Sequence, residues 1–408
     1  MKPRALTRAI QTAMRTFPAV VVTGPRQSGK TTLLRALGAG THRFVSLEDP
    51  DVRIRAREDP VGFLDRYGPP VIIDEIQYLP ELLSYIKTRI DEHRRPGQWL
   101  LAGSQNFILM HGISQSLAGR AAVLSLLPFS LAERLGRGDR TADVPGWLRA
   151  LEGDPAARLR AIDLADILLR GNYPEIAIHK TVDRQLWTGS YIATYLERDV
   201  RSLSQIGDLR TFERFLKLCA ARTGQILNLS DLARETGVSV PTAKRWLSIL
   251  ETGYQVLLLP PFYRNIGKRL VKSPKLYFTD TGLATYLMGI HGREALLDGP
   301  QFGALFETLI VTDVWKRSLH SGRMPAMYYL RTQDGLEADL AVESDGALTL
   351  FEMKGTMTVL PKHAASLLRL RNDLPGTVGK AFMISMARGR FPVGRGAMNI
   401  DWLDALAI

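Results

Sequence analysis

Short apolar runs rich in β-branched residues punctuate the first third of the chain. They are AVVVT at 19–23, FVSL at 44–47, PVIID at 70–74, QWLLAG at 98–103 and AAVLSL at 121–126. Continuous apolar runs read as strands buried on both faces, and their alternation with helical stretches reads as a parallel α/β sheet. The segment 134–147, RLGRGDRTADVPGW, carries Gly, Asp and Pro and reads as a loop. Over 150–290 the spacing becomes mostly helical, with one apolar run in QVLLLPPF. From 300 onward it returns to mixed strand and helix. No internal repeat or low-complexity tract interrupts this sequence of three blocks.

The composition adds limits. Of 408 residues, 45% are apolar and 23% charged, a globular balance that argues against a disordered or collagen-like chain. No apolar run approaches the ~18–20 residues of a membrane helix. The opening stretch MKPRALTRAIQTAMRTFP is basic and broken by charges, without the apolar core of a secretory leader. A single cysteine, Cys219, rules out an intrachain disulfide and a cysteine-rich zinc site. A soluble cytoplasmic protein with no membrane partner is the expectation. The formal net charge of +12, with a pI near 9.8, fits a polyanion partner, although arginine-rich proteins that touch no nucleic acid share it. The charge is clustered: residues 181–280 hold 15 lysines and arginines against 9 acids.

The sharpest motif is Gly24-Pro25-Arg26-Gln27-Ser28-Gly29-Lys30-Thr31, followed by Thr32, which satisfies G-x-x-x-x-G-K-[ST]. The glycines let the backbone curl so that successive N–H groups face phosphate oxygens. Lys30 would place its charge on the β- and γ-phosphates, and Thr31 would offer its hydroxyl to Mg²⁺. The helix beginning TTLLRALG aims its positive end at the same anion. VIIDE at 71–75 then ends an apolar strand in two acids. Asp74 at the strand tip suits the Mg²⁺ that bridges the phosphates, and Glu75 suits the role of orienting or deprotonating the attacking water. The strand ending in Gly103-Ser104-Gln105 offers Ser104 or Gln105 as a γ-phosphate sensor; plain turn residues fit equally.

The middle block contains QILNLSDLARETGVSVPTAKRWLSILETGYQVLLLPPFY at 225–263. It parses as helix, glycine-bearing turn, second helix and strand, the spacing of a helix-turn-helix with a wing. Ser239 suits a cap and Pro241 the first turn of the second helix. Ala243, Leu247 and Leu250 would be buried, leaving Thr242, Lys244 and Arg245 toward solvent or phosphate. Arg264, Lys268, Arg269, Lys272 and Lys275 make an acid-free cationic wing. DNA-backbone contact is the functional reading; a protein-binding or lid module is the alternative.

Near the C-terminus, LEADL at 336–340 and LTLFEMK at 348–354 alternate as two strands of a hairpin. Period two puts Glu337 and Asp339 on one face, and likewise Glu352 and Lys354. Asp339 and Glu352 would hold Mg²⁺, Lys354 would lower the pKa of a water or steady the phosphate, and Glu307, in ALFETLIV, would add an acid. Alternating charges on a solvated sheet face give the same pattern.

In order along the chain stand GPRQSGKTTLL, VIIDEIQ, LLAGSQ, GNYPE, YLERDV, RTGQILN, KSPKLYFTDTGL and GLEADL…FEMK. The whole resembles the prokaryotic predicted-ATPase family that joins an AAA+ domain to a winged helix and a C-terminal PD-(D/E)XK, restriction-endonuclease-like domain. That resemblance implies an α/β fold: a P-loop AAA+ parallel-sheet domain at 1–145, a helical lid or connector at 146–222, a winged helix-turn-helix at 223–295 and a mixed α/β restriction-endonuclease-like domain at 296–408. It implies ATP as substrate, Mg²⁺, DNA as partner, and a homo-oligomer such as a hexameric ring. Arg120, before the fifth strand, would be the arginine that reaches a γ-phosphate, often in a neighbouring subunit. Gly171-Asn172-Tyr173-Pro174 would press on the nucleotide from the lid or simply end a helix. Two further outputs stay open, a nucleotide-gated metal-dependent nuclease and a nucleotide-controlled protein switch.

Overall fold

The computed structural model describes residues 2–104, 113, 116–153, 162–195, 209–262, 273–332 and 335–408. They form two compact units. The first comprises Met1–Phe129, Thr252–Tyr254 and Leu319–Arg323, and the second Ser130–Glu251, Gln255–Ser318 and Met324–Ile408. The first unit thus takes in most of the expected ATPase segment together with two short pieces from far along the chain.

The first unit is built on five parallel strands: β1 (Ala19–Thr23), β2 (Arg43–Ser46), β3 (Val71–Asp74), β4 (Trp99–Ala102) and β5 (Ala121–Ser125), in the order β2-β3-β4-β1-β5. All five expected runs are strands, each within a residue or so of its expected ends. Their side chains divide between two cores because successive residues point to opposite faces. Val20, Val22, Ile72 and Leu100 pack with Leu6, Ile10, Leu33 and Leu34 on one face. Val21, Ile73 and Leu101 pack with Ile76, Leu83, Ile86 and Ile90 on the other. At ~1.5–3 kcal/mol for each fully buried large aliphatic side chain, these two layers fix the strand register and so the positions of the loops at the strand ends.

Distant chain segments complete this unit. Tyr254 sends its hydroxyl to within 2.6 Å of Ser125 Oγ and 3.5 Å of Thr23 Oγ1. His320 Nε2 accepts the Leu127 N–H at 3.0 Å.

The second unit holds two sheets. In the smaller, β6 (Gln225–Ile226) and β7 (Val256–Leu259) flank β8 (Lys275–Phe278), both antiparallel to it. Helices Leu229–Thr236 and Val240–Thr252 lie in sequence between β6 and β7. Gly237 ends the first helix at φ 83°, a left-handed position that favours glycine, and the Ser239 hydroxyl accepts the Thr242 N–H at 3.3 Å. Ala243, Leu247 and Leu250 are buried, and Lys244 and Arg245 are exposed.

The larger sheet contains β9 (Met327–Arg331), β10 (Glu337–Ser344), β11 (Ala347–Lys354), β12 (Val378–Ser385), β13 (Phe391–Val393) and β14 (Ala397–Asp401). Their order is β13-β14-β12-β11-β10-β9, with β11, β12 and β14 mutually parallel. The stretch 134–147, expected as a loop, instead carries the start of helix Val144–Ala150. The Asp143 carboxylate accepts the Gly146 N–H at 3.0 Å, and Trp147, fully buried, donates to the Ala405 carbonyl at 2.7 Å. A local cap and one distant hydrogen bond thus override the turn-forming composition.

Candidate nucleotide site

The phosphate loop leaves the carboxyl end of β1 and enters helix Lys30–Leu37. Its conformation is written in its glycines. Gly24 has φ 146°, and a Cβ there would fall 2.1 Å from the Leu126 carbonyl oxygen; Gly29 has φ 95°. The first is close backbone approach and the second is the left-handed bend that starts the helix. Lys30 is only 5% exposed and donates to the carbonyls of Gly24 at 3.0 Å and Pro25 at 2.8 Å.

The loop is supported from below by a residue that no motif marks. Arg4, buried, donates to the Ser28 carbonyl at 2.8 Å and to the Leu127 carbonyl at 2.5 Å, with its guanidinium 4.8 Å from the Phe129 ring centroid. Sequence reading missed it because nothing local distinguishes it from the other N-terminal cations.

Beside the loop, β3 delivers Asp74. The Thr31 hydroxyl donates to Asp74 Oδ2 at 2.9 Å. Asp74 Oδ1 is buried and has no hydrogen-bond partner among the described residues. Burial raises the Asp74 pKa, the Thr31 hydrogen bond opposes that, and the Glu75 charge adds to it. A hydroxyl and an orphaned carboxylate oxygen form a hard-oxygen donor pair, which suits Mg²⁺; such ions take one or two protein oxygens and fill the rest with phosphate and water.

Glu75 has a left-handed backbone, φ 55° and ψ 41°, at the entry to the turn Ile76–Tyr78. Its Oε2 accepts a hydrogen bond from Gln77 Nε2, and Gln77 Oε1 accepts the Ser104 N–H at 3.2 Å. Ser104 is buried at the tip of β4, and its hydroxyl has no partner among the described residues. Gln105 lies outside the described residues.

Arg120 stands at the other end of the sheet. Its carbonyl accepts the N–H of Ala19, the first residue of β1, and its guanidinium pairs with Asp91 at 2.6 and 2.9 Å. A five-residue strand spans ~16 Å, so within one chain Arg120 does not meet the phosphate loop.

In the second unit, Gly171 closes helix Leu164–Arg170 at φ 70°, and the Asn172 N–H donates to Asp280 Oδ2 at 2.7 Å. GNYP is here a helix-ending turn. Of the cationic wing, Arg264, Lys268, Arg269 and Lys272 lie outside the described residues.

Lys275 corrects the expectation placed on it. It is 3% exposed and faces carboxylates rather than solvent, at 2.6 Å from Glu337, 3.1 Å from Glu307 and 3.5 Å from Asp339. Burial opposes its charge, but Glu307, Asp339 and Glu337 overcome this and raise its pKa. The run around Lys275 is acid-free in sequence; its acids come from positions far along the chain.

The same cluster gathers the residues expected to bind metal. Leu340 opposite Phe351 sets Asp339 beside Glu352, and Asp339 Oδ2 accepts the Met353 N–H at 2.8 Å. Lys354 pairs with Glu352 at 2.6 Å, and the Tyr277 hydroxyl donates to Glu307 at 2.5 Å. Burial and the charge of Asp339 push Glu307 up to about 7 and Glu352 up to about 8. Among the described residues, no group of three His, Cys, Asp or Glu side chains is placed to hold a metal ion. The expected carboxylates converge, but an ammonium lies among them.

A phosphate loop on a parallel sheet, with Thr31 and Asp74 joined beside it, defines the N-terminal unit as a P-loop ATPase of the AAA type. Residues 16–135 match the AAA domain model, and the chain is an ATPase. Residues 161–294 and 302–403 match two domains of unknown function, DUF8612 and DUF4143. Uncharacterized protein Rv2008c of Mycobacterium tuberculosis is 31% identical over 384 residues, covering 94% of this chain and 80% of its own length, and uncharacterized protein Mb2031c of Mycobacterium bovis matches to the same extent. The chain belongs to the family of these two proteins. Among solved structures, the Walker-type ATPase paby2304 of Pyrococcus abyssi is 15% identical, covering 70% of this chain and 98% of that one, with a TM-score of 0.42. A single-substitution variant of RuvB from Thermotoga maritima is 19% identical, covering 62% and 87%, with a TM-score of 0.31. Among the described residues, no helix is long and apolar enough to cross a membrane.

Proposed function

We propose that ATP hydrolysis by this chain is Mg²⁺-dependent and coupled to DNA binding or remodelling by a homo-oligomer. The observation that carries the hydrolytic part is the 2.9 Å link between Thr31 and Asp74 beside the buried Lys30. Thr31 and Asp74 would hold the metal, which supplies charge neutralisation across the β- and γ-phosphates. The amides of residues 24–32 cradle the phosphates, Lys30 meets the β/γ-oxygens, Ser104 senses the γ-phosphate, and Glu75 takes the proton of the attacking water. Arg120, paired with Asp91 at the far end of the sheet, would act only on a neighbouring subunit's nucleotide.

The DNA part rests on the second unit. A helix, Leu209–Ala221, then β6, two helices joined by a glycine turn and the β7/β8 pair follow the order of a winged helix. Lys244 and Arg245 stand exposed on its second helix. The β10–β11 hairpin, bearing Asp339, Glu352 and Lys354 with Glu307 on helix Phe302–His320, supports a restriction-endonuclease-like reading of the last hundred residues. Lys275 among those acids gives cleavage no support, and cleavage is not part of the proposal.

Phosphate release measured with and without single-stranded, duplex and branched DNA tests the coupling. Stimulation by DNA is expected, with affinity falling steeply as salt rises and the slope reduced by ~1 for each of Lys244→Ala and Arg245→Ala. Negligible DNA affinity at physiological salt overturns the DNA half and leaves a nucleotide-controlled protein switch.

A further inference from the structure

Gln77 follows the strand that delivers Asp74 and Glu75, and its side-chain amide is a bridge with two ends. Nε2 donates to Glu75 Oε2, and Oε1 accepts the Ser104 N–H at 3.2 Å. The orientation of that amide is dictated. A main-chain N–H only donates, so the oxygen must face Ser104 and the NH₂ must face the carboxylate; a flipped amide would set donor against donor and oxygen against oxygen. The two ends belong to neighbouring strands, since β3 pairs with β4. Glu75 needs such a tether. Its left-handed backbone interrupts the strand, so strand periodicity no longer sets where its carboxylate points.

We propose that Gln77 is a positioning residue for ATP hydrolysis, fixing the Glu75 carboxylate relative to the tip of β4. This rests on the reading of Glu75 as the base. In the step it serves, the water oxygen bonds to the γ-phosphorus, its proton passes to Glu75, and the bond to the bridging oxygen breaks with its electrons leaving on ADP. Ser104 and Glu75 then move as one piece, and a γ-phosphate seated at the β4 tip finds the base already aimed.

Steady-state hydrolysis by Gln77→Ala and Gln77→Glu, alone and in a Glu75→Gln background, tests this. Gln77→Glu keeps the shape and the acceptor for Ser104 but sets a carboxylate against Glu75. Both single variants are expected to lose ~10- to 100-fold in kcat, with KM for ATP and ADP affinity within about twofold of wild type. In the Glu75→Gln background the Gln77 change should add no further loss, because its effect runs through Glu75. Thermal midpoints matching wild type exclude a folding defect. Wild-type kcat in either Gln77 variant, a change confined to KM, or losses that multiply in the double variant overturns the proposal. If Glu75→Gln itself hydrolyses at the wild-type rate, the base reading falls and this inference with it. If Glu75→Gln is inactive while the Gln77 variants are fully active, only the inference falls.

Discussion

Arg4 and Ser28 are 24 positions apart, yet a guanidinium N–H of Arg4 donates to the Ser28 carbonyl at 2.8 Å inside the protein. The same guanidinium reaches the Leu127 carbonyl at 2.5 Å. One planar fork thus joins the segment before the first helix, the phosphate loop and the chain leaving β5. Arg4→Met strands two buried carbonyls, so a loss of ~1–3 kcal/mol in stability is expected, with weaker ADP binding. Chemical denaturation and ADP titration check both, and an unchanged ADP affinity refutes the support role.

Lys30→Ala and Glu75→Gln should separate binding from chemistry. Removing the Lys30 charge is expected to lower phosphate release by at least ~100-fold and to weaken nucleotide affinity. Glu75→Gln should keep affinity while turnover falls ~10²- to 10⁴-fold. Equilibrium binding of a fluorescent ATP analogue beside a phosphate-release assay reads the two effects. Full turnover by Lys30→Ala contradicts the assignment outright.

Gly24 tolerates no side chain. An alanine Cβ would lie 2.1 Å from a main-chain oxygen, at a φ that alanine rarely adopts. Gly24→Ala should therefore displace the loop or β5 and show no rise in melting temperature with ADP, where the wild type is expected to show one. Gly40→Ala is a matched control. It shares a positive φ of 76° but has open space around the Cβ position, and should retain the ADP response.

Lys275→Met leaves Glu307, Glu337 and Asp339 without the ammonium they surround. Breaking a buried ion cluster by removing one partner costs ~3–5 kcal/mol, so the variant should unfold far more readily at pH 8. Lowering the pH toward 5, where the stranded acids can take up protons, should recover part of the loss. Urea midpoints at the two pH values decide it, and equal deficits at both argue against an electrostatic origin.

The raised acids also predict how the wild type responds to pH. Unfolded glutamates ionise near 4.5, whereas folded Glu307 holds its proton to about 7 and Glu352 to about 8. In between, the folded chain binds more protons than the unfolded one. The contribution of these groups to stability therefore falls as pH rises from about 5 to 8, by at most ~1.4 kcal/mol per pH unit for each group. Glu352→Gln should flatten that decline. A decline equally steep in the variant would falsify the assignment of the effect to Glu352.

Short-range chemistry was legible in the sequence, and long-range packing was not. The five apolar runs locate β1 to β5 because burial on both faces forces continuous β-branched residues. The glycines at 24 and 29 locate the phosphate loop because their backbone geometry demands them. The helix pair at 229–252 was legible from its glycine turn and buried spacing. Arg4 and Tyr254 carry no such signal, since each matters only through partners on other segments, and Gln77 becomes a bridge only once the β4 tip brings the Ser104 N–H to its oxygen. Lys275 misled for the same reason: it counts as a free cation until Glu307, Glu337 and Asp339 fold around it. The segment 134–147 looked unstructured because its Gly, Asp and Pro content masked the local cap at Asp143, while the buried Trp147 indole finds its acceptor on a carbonyl 258 positions away.

Tyr254 and His320 set a timetable for the growing chain. The ATPase sheet has all five strands once residue 125 has emerged from the ribosome, yet the phenol that sits beside Thr23 and the imidazole that receives the Leu127 amide arrive much later. Until translation passes position 320, the catalytic half is an unfinished vessel. A truncated product ending near residue 145 therefore lacks the tyrosine that meets Thr23 and Ser125 and the histidine that accepts the Leu127 amide.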